Sequence, residues 1–189
     1  MAKLSVRKWG IKMKIDTCKL RAANEFRARG DIRYYLNGIR INKDHIEATN
    51  GHIAIRMKSG IRTRLDVIVD FKGRIPAAAI KTKLEFSKGK NTAYHYDGFE
   101  QCIGVQLFDI QDGKYPDLSR VIPQEYSITD KPPLLQAKYM SVIDKAFKKE
   151  KFVAVKTLHN ADQKVIFGVG GLPNEIYGEP LIVIMGTSE

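Results

Sequence analysis

Apolar and polar residues alternate in short runs along most of the chain, and Gly, Pro, Asn or Asp closes nearly every run. Residues 11 to 15 alternate as a strand. Asp16 or Thr17 then caps a helix that runs through LRAANEFRA and stops at Gly30. Within it Cys18, Ala22 and Phe26 are spaced i, i+4, i+8, a stripe that packs on a sheet. Three strands follow, at about 34 to 41, 45 to 49 and 52 to 58, so the unit reads strand, helix, strand, strand, strand.

The same order recurs. DVIVD (66 to 70) is a strand, Pro76 stands in the first turn of a short helix through AAAIKTK, and strands near 92 to 96 and 101 to 109 follow. GKYPDLSRVIP makes a Pro-punctuated connector. After QEYSITDKPP a third copy begins, in which Tyr139, Val142, Ile143 and Ala146 share a helix face before the strands FVAVKTL, KVIFGVG and PLIVIMG. Three copies of one unit, each about 60 residues long, resemble one another in pattern and not in residues.

With 189 residues and 43% hydrophobic content the chain can bury a core in one large or two small domains. Thirty-two Lys and Arg against 21 Asp and Glu give a net charge of +11, which points to a polyanionic partner, nucleic acid first. No apolar run reaches the ~20 residues of a membrane helix, and MAKLSVRKWG lacks the apolar centre of a signal peptide, so a cytoplasmic protein is expected. Cys18 and Cys102 are far apart in apolar surroundings and read as reduced, buried thiols.

Cations accompany each helix: Arg21, Arg27 and Arg29 on the first, Arg74, Lys81 and Lys83 on or beside the second, Lys145, Lys148, Lys149 and Lys151 on or after the third. They are either three solvated faces or an array on one side that neutralises phosphates without reading bases. Catalytic patterns are thin. His45, His52, His95 and His159 have no ligand-like spacing, and no GxxxxGK[ST] loop exists. GVGGLP at 168 to 173 reads as a flexible turn, and the paired carboxylates Asp109 and Asp112, or Asp66 and Asp70, fit turns and strand ends. Neither an enzyme, a cofactor nor a metal site is expected.

The stretch DIRYYLNGIRI followed by EATNGHIAI closely resembles the middle domain of the bacterial sliding clamp, the beta subunit of DNA polymerase III, where an RYYLNG strand precedes a TDGHRLA loop. DGKYPDLSRVIP at 112 to 123 resembles that family's DGRFPDYRRVLP segment, and the remainder, ending in LIVIMGTSE, looks like the clamp's last repeat unit with its VVMPM-type strand. The resemblance implies an α+β DNA-clamp (processivity-factor) fold of about three β-α-β-β-β units. Residues 1–10 would form an N-terminal extension, 11–123 a clamp-like domain of two units, and 124–189 a third, half-domain unit. A clamp subunit has six such units and a ring twelve, so the first domain and the first half of the third are the parts without a counterpart.

The family's pocket for short linear peptides of polymerases and repair proteins lies between the middle domain and the last strand. Carried over by motif, its wall and floor are Leu36, Thr49, Gly51, His52 and Ala54, with Pro116, Arg120 and Val121 from the connector and Val183, Ile184 and Met185 from the terminal strand. In ATNGH, Gly51 lets the backbone pass close to a peptide and Thr49 offers a hydroxyl at the rim, while a type I′ turn on Asn50-Gly51 is the purely structural alternative. Asn50, Ile53 and Gly186-Thr187 replace the family's Asp, Arg and Pro-Met. The family's helices line a hole, so duplex DNA would meet Arg21, Arg27, Lys81, Lys83, Lys145, Lys148 and Lys149. Tyr34 and Tyr35 alternate across a strand, and an exposed tyrosine beside Arg33 either stacks on a base or packs in the sheet. The chain then reads as a shortened clamp that self-associates into a closed ring on DNA. The alternatives are a standalone peptide-binding module of phage or mobile-element type, or a DNA-binding protein with an idle pocket.

Overall fold

The computed structural model describes residues 10–150 and 153–187. Nearly all of the expected N-terminal extension, Lys151 and the first residue of FVAVKTL lie outside the described residues.

Strand β1 (Ile11–Asp16) leads directly into helix α1 (Thr17–Phe26), followed by β2 (Ile39–Ile41), β3 (His45–Thr49) and β4 (Ile53–Lys58). Next come β5 (Val67–Phe71), β6 (Lys81–Phe86), β7 (Asn91–Tyr96) and β8 (Cys102–Gln111). The last part holds α2 (Ala137–Ala146), β9 (Val155–His159), β10 (Lys164–Val169), α3 (Gly171–Ile176) and β11 (Leu181–Met185). The strands form one antiparallel sheet in the order β1-β6-β7-β8-β5-β2-β3-β4-β11-β10-β9, so β4 and β11 join the first and last parts of the chain.

The period-2 pattern explains the sheet's two faces. Met13 and Ile15 of β1, Leu84 and Phe86 of β6, and Val67, Val69 and Phe71 of β5 enter one core with Leu20, Ala22, Ala23 and Phe26 of α1. Cys18 packs on the edge of that core, and α2 lies against α1 and adds Tyr139, Ile143 and Ala146. Phe147 meets Tyr177 edge to face at 4.8 Å, which ties the end of α2 to α3. The clamp-like α+β arrangement is therefore present.

Several local expectations fail. Helix α1 ends at Phe26, not Gly30, because Arg27 turns to extended backbone and its guanidinium binds Asn24 and the Asp70 carboxylate, the latter at 2.9 Å, instead of solvent. RYYLN is a 3-10 turn over Tyr34–Asn37, not the start of a strand; Tyr34 is exposed and Leu36 buried. GVGGLP starts a short helix with Pro173 in its first turn. Cys102 is exposed and Cys18 half-buried, and neither is the deeply buried thiol expected; both are free.

The largest departure is the second helix. Residues 77 and 78 make a turn and KTK begins strand β6. As part of β6, Thr82 of this segment is fully buried in a polar line. Thr17 Oγ1 and Thr82 Oγ1 are 2.8 Å apart, Thr82 Oγ1 lies 2.9 Å from His95 Nδ1, and His95 Nε2 lies 2.8 Å from Gln106 Oε1. Pro76 sits directly on this surface: a Cβ on Gly104 would come within 2.9 Å of its ring. The carbonyls of Pro76 and Ala79 accept from Arg21 at 3.1 and 2.8 Å, so a guanidinium from α1 satisfies the turn in place of helical hydrogen bonds.

This buried relay gives a pH prediction. Burial, reinforced by the Arg21 charge, holds the His95 imidazole below the usual 6.5, and burial with the Arg56 charge acts on His45 in the same direction. The unfolded chain therefore binds more protons below about pH 6.5. This part of the stability is complete above that pH and falls as pH drops toward the folded values. The denaturant midpoint should be lower at pH 5.5 than at pH 7.5, and His95→Gln should flatten that difference.

Candidate functional site

Four segments meet at one end of the β3-β4-β11 region and enclose a cavity of about 240 Å³. Its wall is the β3-β4 hairpin. Asn50 N donates to Ile53 O at 3.2 Å, and Gly51 and His52 are the central residues, with Gly51 at φ +94°. Asn50 does not have positive φ, so the type I′ turn on Asn50-Gly51, the purely structural alternative, is not formed. The Asn50 side-chain Oδ1 accepts from both His52 N and Ile53 N at 3.0 Å, which locks the turn. Thr49 spends its hydroxyl inside the turn, donating to Ile53 O and accepting from Gly51 N, and offers nothing at the rim. Gly51 is needed for its φ, and a Cβ there would also lie 3.3 Å from the Arg33 guanidinium, which would have to shift.

The connector supplies the opposite wall. Asp117 caps a 3-10 turn at Leu118–Arg120, accepting from Ser119 N at 3.0 Å and Ser119 Oγ at 2.6 Å, and these bonds hold its carboxyl below the ordinary range. The turn presents Pro116, Leu118 and Val121 to the cavity. From β11, Val183 stands beside Ala54 in register, and Val183 and Met185 face the cavity. Ala54, Leu118, Ile122, Ile166 and Val183 form a separate small core beneath it.

Nine of the residues carried over from the clamp motifs line this one cavity: Leu36, Thr49, Gly51, His52, Ala54, Pro116, Val121, Val183 and Met185. Two do not. Ile184 alternates to the other face of β11 and is fully buried in the main core, and Arg120 points from the 3-10 turn into solvent. Arg33, Tyr35, Ile53, Asp117 and Leu118 also line it. They belong to the same motifs, so their neighbours in sequence were the available signal. Arg33 is held by Asp31 in a two-pronged pair at 3.0 and 2.8 Å, and its guanidinium holds the Asp31 carboxyl down at about 2. His52 stacks on Tyr139 at 5.9 Å with 18° between the rings, which joins the cavity wall to α2.

A second concavity, of about 750 Å³, runs between α1 and α2. Arg21, Arg27, Arg29, Arg74, Lys145, Lys148 and Lys149 line it, so cations from three segments converge. Their freedom differs. Arg21 and Arg27 are committed to the hydrogen bonds described above, whereas the side chain of Arg29 is 68% exposed despite a loose contact with Glu25. Burial, then the neighbouring Arg21 charge, lowers the Lys149 ammonium below its ordinary value. Lys81 and Lys83 are elsewhere: they alternate with buried Thr82 and Leu84, so they lie on the sheet face opposite α1 and α2, paired with Asp16 and Glu85. The missing second helix removes the element that was to carry them inward. Arg33 borders a shallow extension of the groove beside Arg27 and Arg29, and Tyr34 is half exposed with its ring edge-on to Tyr35. Among the described residues no His, Cys, Asp and Glu cluster has metal-site geometry, and no helix is long and apolar enough to cross a membrane.

The described residues form one continuous antiparallel sheet with helices packed on it, and this is the sliding-clamp fold. No protein-family model matches the chain, and no curated protein is similar to it in sequence. Solved structures are similar in fold. The whole chain superposes on the DNA polymerase III subunit beta of Borrelia burgdorferi with a TM-score of 0.65 at 13% identity, covering 67% of that chain. It also superposes on a putative DNA polymerase III beta subunit of Eubacterium rectale (0.60, 8% identity, 68% of that chain) and on the beta subunit of Thermotoga maritima (0.57, 11%, 68%). The chain thus has the fold of these DNA polymerase III beta subunits and covers about two thirds of their length.

Proposed function

We propose that this chain is a clamp-like replication accessory protein that captures short linear peptides of DNA polymerases or repair proteins in the β3-β4-β11 cavity. The observation that carries the reading is the convergence of nine motif residues, from four separate segments, on one apolar cavity. Its floor and walls are aliphatic, with Arg33, Asp117 and His52 at the borders, so it suits a pair of apolar side chains flanked by a polar residue. Each large side chain buried contributes roughly 1.5–3 kcal/mol, and ordering a flexible peptide offsets part of this, so micromolar affinity is expected. The test is fluorescence polarisation with a labelled clamp-binding peptide that carries a glutamine and two apolar residues. Absence of saturable binding at high micromolar concentration would sink the reading.

Leu36 forms the deep end of the cavity and is 1% exposed. Leu36→Ala should weaken the peptide about tenfold and also lower stability by roughly 2–5 kcal/mol, because the site is as closed as a core position. Thermal unfolding beside the polarisation assay separates the two effects.

The cations between α1 and α2 favour a second component of the same function, sequence-independent contact with duplex DNA. Since Arg21 and Arg27 are engaged internally, Lys145, Lys148 and Lys149, with Arg29 and Arg74 beside them, carry most of this role. The cavity opens beside Arg33 at the groove's shallow extension, so a bound peptide and DNA would be neighbours.

A further inference from the structure

Cross-strand register sets a row of side chains on the sheet face opposite α1 and α2. Ile182 and Ile184 of β11 enter the main core with the helices, so Leu181 and Val183 turn to the other face. There Glu47, Arg56, Leu181, Gly168 and Lys156 stand opposite one another across β3, β4, β11, β10 and β9. Two long cations thus flank a leucine and a glycine. The low centre is the floor of a trough of about 360 Å³, lined by Arg56, Lys58 and Lys156 against one carboxylate, Glu179. The pairing slip between Ile166 and Phe167 leaves Leu158 without a partner on β10, and the bulge aims it over this floor: a Cβ on Gly168 would lie 3.0 Å from Leu158 Cδ1.

The trough adjoins the peptide cavity. Ala54, Val183 and Ile166 of the small core beneath the cavity are each two residues along their strands from Arg56, Leu181 and Gly168, a step of about 7 Å. Leu181 packs on that core. The connector passes both: its Leu118 and Ile122 belong to the core, and its Tyr126 lines the trough, positioned by the neighbouring Ser127 N–H, which donates to His159 Nδ1 at 3.0 Å. Two of the cations are available to a ligand. Arg56 gives Nε to Glu47 at 2.6 Å, and among the described residues its two terminal nitrogens have no partner. Lys58 is tied to Glu179, whereas Lys156 is exposed and has no ion pair among the described residues. Arg56 also acts across the border, since its charge, after the Ser119 bonds and Arg120, helps to hold the Asp117 carboxyl low. Cations in excess over an apolar floor, one step from a peptide cavity and on the face opposite the DNA groove, suit carboxylates on an extended segment. We infer that the trough is a second subsite for the captured peptide and receives acidic side chains that flank its apolar pair. This rests on peptide capture in the β3-β4-β11 cavity.

The probes are labelled clamp-binding peptides with a glutamine and two apolar residues, extended at one end or the other by three serines or three glutamates. At low salt one of the glutamate extensions should bind about tenfold more tightly than the serine extension at the same end, and the gain should shrink as salt rises. Lys156→Glu should remove that gain and leave the affinity of the serine peptides unchanged. Lys88→Glu in the β6-β7 turn makes the same change in net charge far from the trough and should keep the gain. Duplex affinity should be the same in Lys156→Glu and wild type. Equal binding of glutamate and serine peptides at both ends overturns the inference while the cavity reading stands. A gain that Lys88→Glu removes as fully as Lys156→Glu overturns it too, as diffuse charge attraction, and a loss of duplex binding in Lys156→Glu would give the trough to nucleic acid instead. If the serine peptides show no saturable binding, the cavity reading fails and this inference falls with it.

Discussion

Met185→Asp should abolish peptide capture while leaving the protein folded. Met185 is half-buried and lines the cavity with Val183 and Val121. Its removal forfeits the burial of at least one large apolar group of the ligand, ~1.5–3 kcal/mol, which is about 10- to 150-fold in affinity. The new carboxylate adds a desolvation cost whenever the peptide closes over it. The fold should tolerate the change. Residue 185 stands directly opposite Lys164 on β10, and that ammonium can partner the new charge across the strands. Polarisation with the labelled peptide should therefore show no saturation, while circular dichroism and the melting temperature stay near wild type. Retained binding within a few fold would mean that the peptide, if it binds at all, does so elsewhere.

Changing Lys145, Lys148 and Lys149 together to Glu should remove most duplex binding. If each neutralises one phosphate, the three account for a change of nearly 3 in the slope of log affinity against log salt, or roughly 40-fold between ~50 and ~200 mM. Charge reversal also repels the backbone, so the loss at low salt should be larger than neutralisation alone would produce. The control comes from the structure: Lys81→Glu with Lys83→Glu should leave duplex affinity and its salt slope unchanged, since both lysines lie on the sheet face opposite the groove. Filter binding or anisotropy over a salt series checks both. An equal loss from the two sets would point to diffuse attraction by net charge and not to the groove.

Peptide and DNA binding should also separate genetically. Met185→Asp leaves every groove cation in place, and the lysine reversals leave the cavity untouched. The His52-Tyr139 stack links the cavity wall to α2.

Most of the strands were legible in the sequence because alternation is a local property. A run such as IKMKI puts Met13 and Ile15 on one face whatever its neighbours are, and the observed strand differs from the expected one by a single residue. The hairpin and connector motifs were legible for a related reason. ATNGH and YPDLSRV carry their own turn chemistry, in Asn50 and Asp117, and so deliver His52 and Val121 to the cavity from either side.

Tertiary context decided the rest. AAAIKTK has good helical propensity and a proline placed to start a helix, yet it became a turn and a strand, in which Thr82 joins the polar line from Thr17 to Gln106 and Arg21 binds the carbonyls of Pro76 and Ala79. A local reading cannot see that line, since its members are as many as 89 residues apart, from position 17 to position 106. The same failure carried Lys81 and Lys83 to the wrong face. Ile184 was assigned to the cavity by motif, although strand alternation sends it to the opposite core. By itself the sequence determined which residues prefer strand, which turns close the hairpins, and which short motifs resemble a clamp. Which helix forms and which face each cation occupies depended on long-range partners, because burial and hydrogen-bond satisfaction are properties of surfaces that only the assembled sheet brings together.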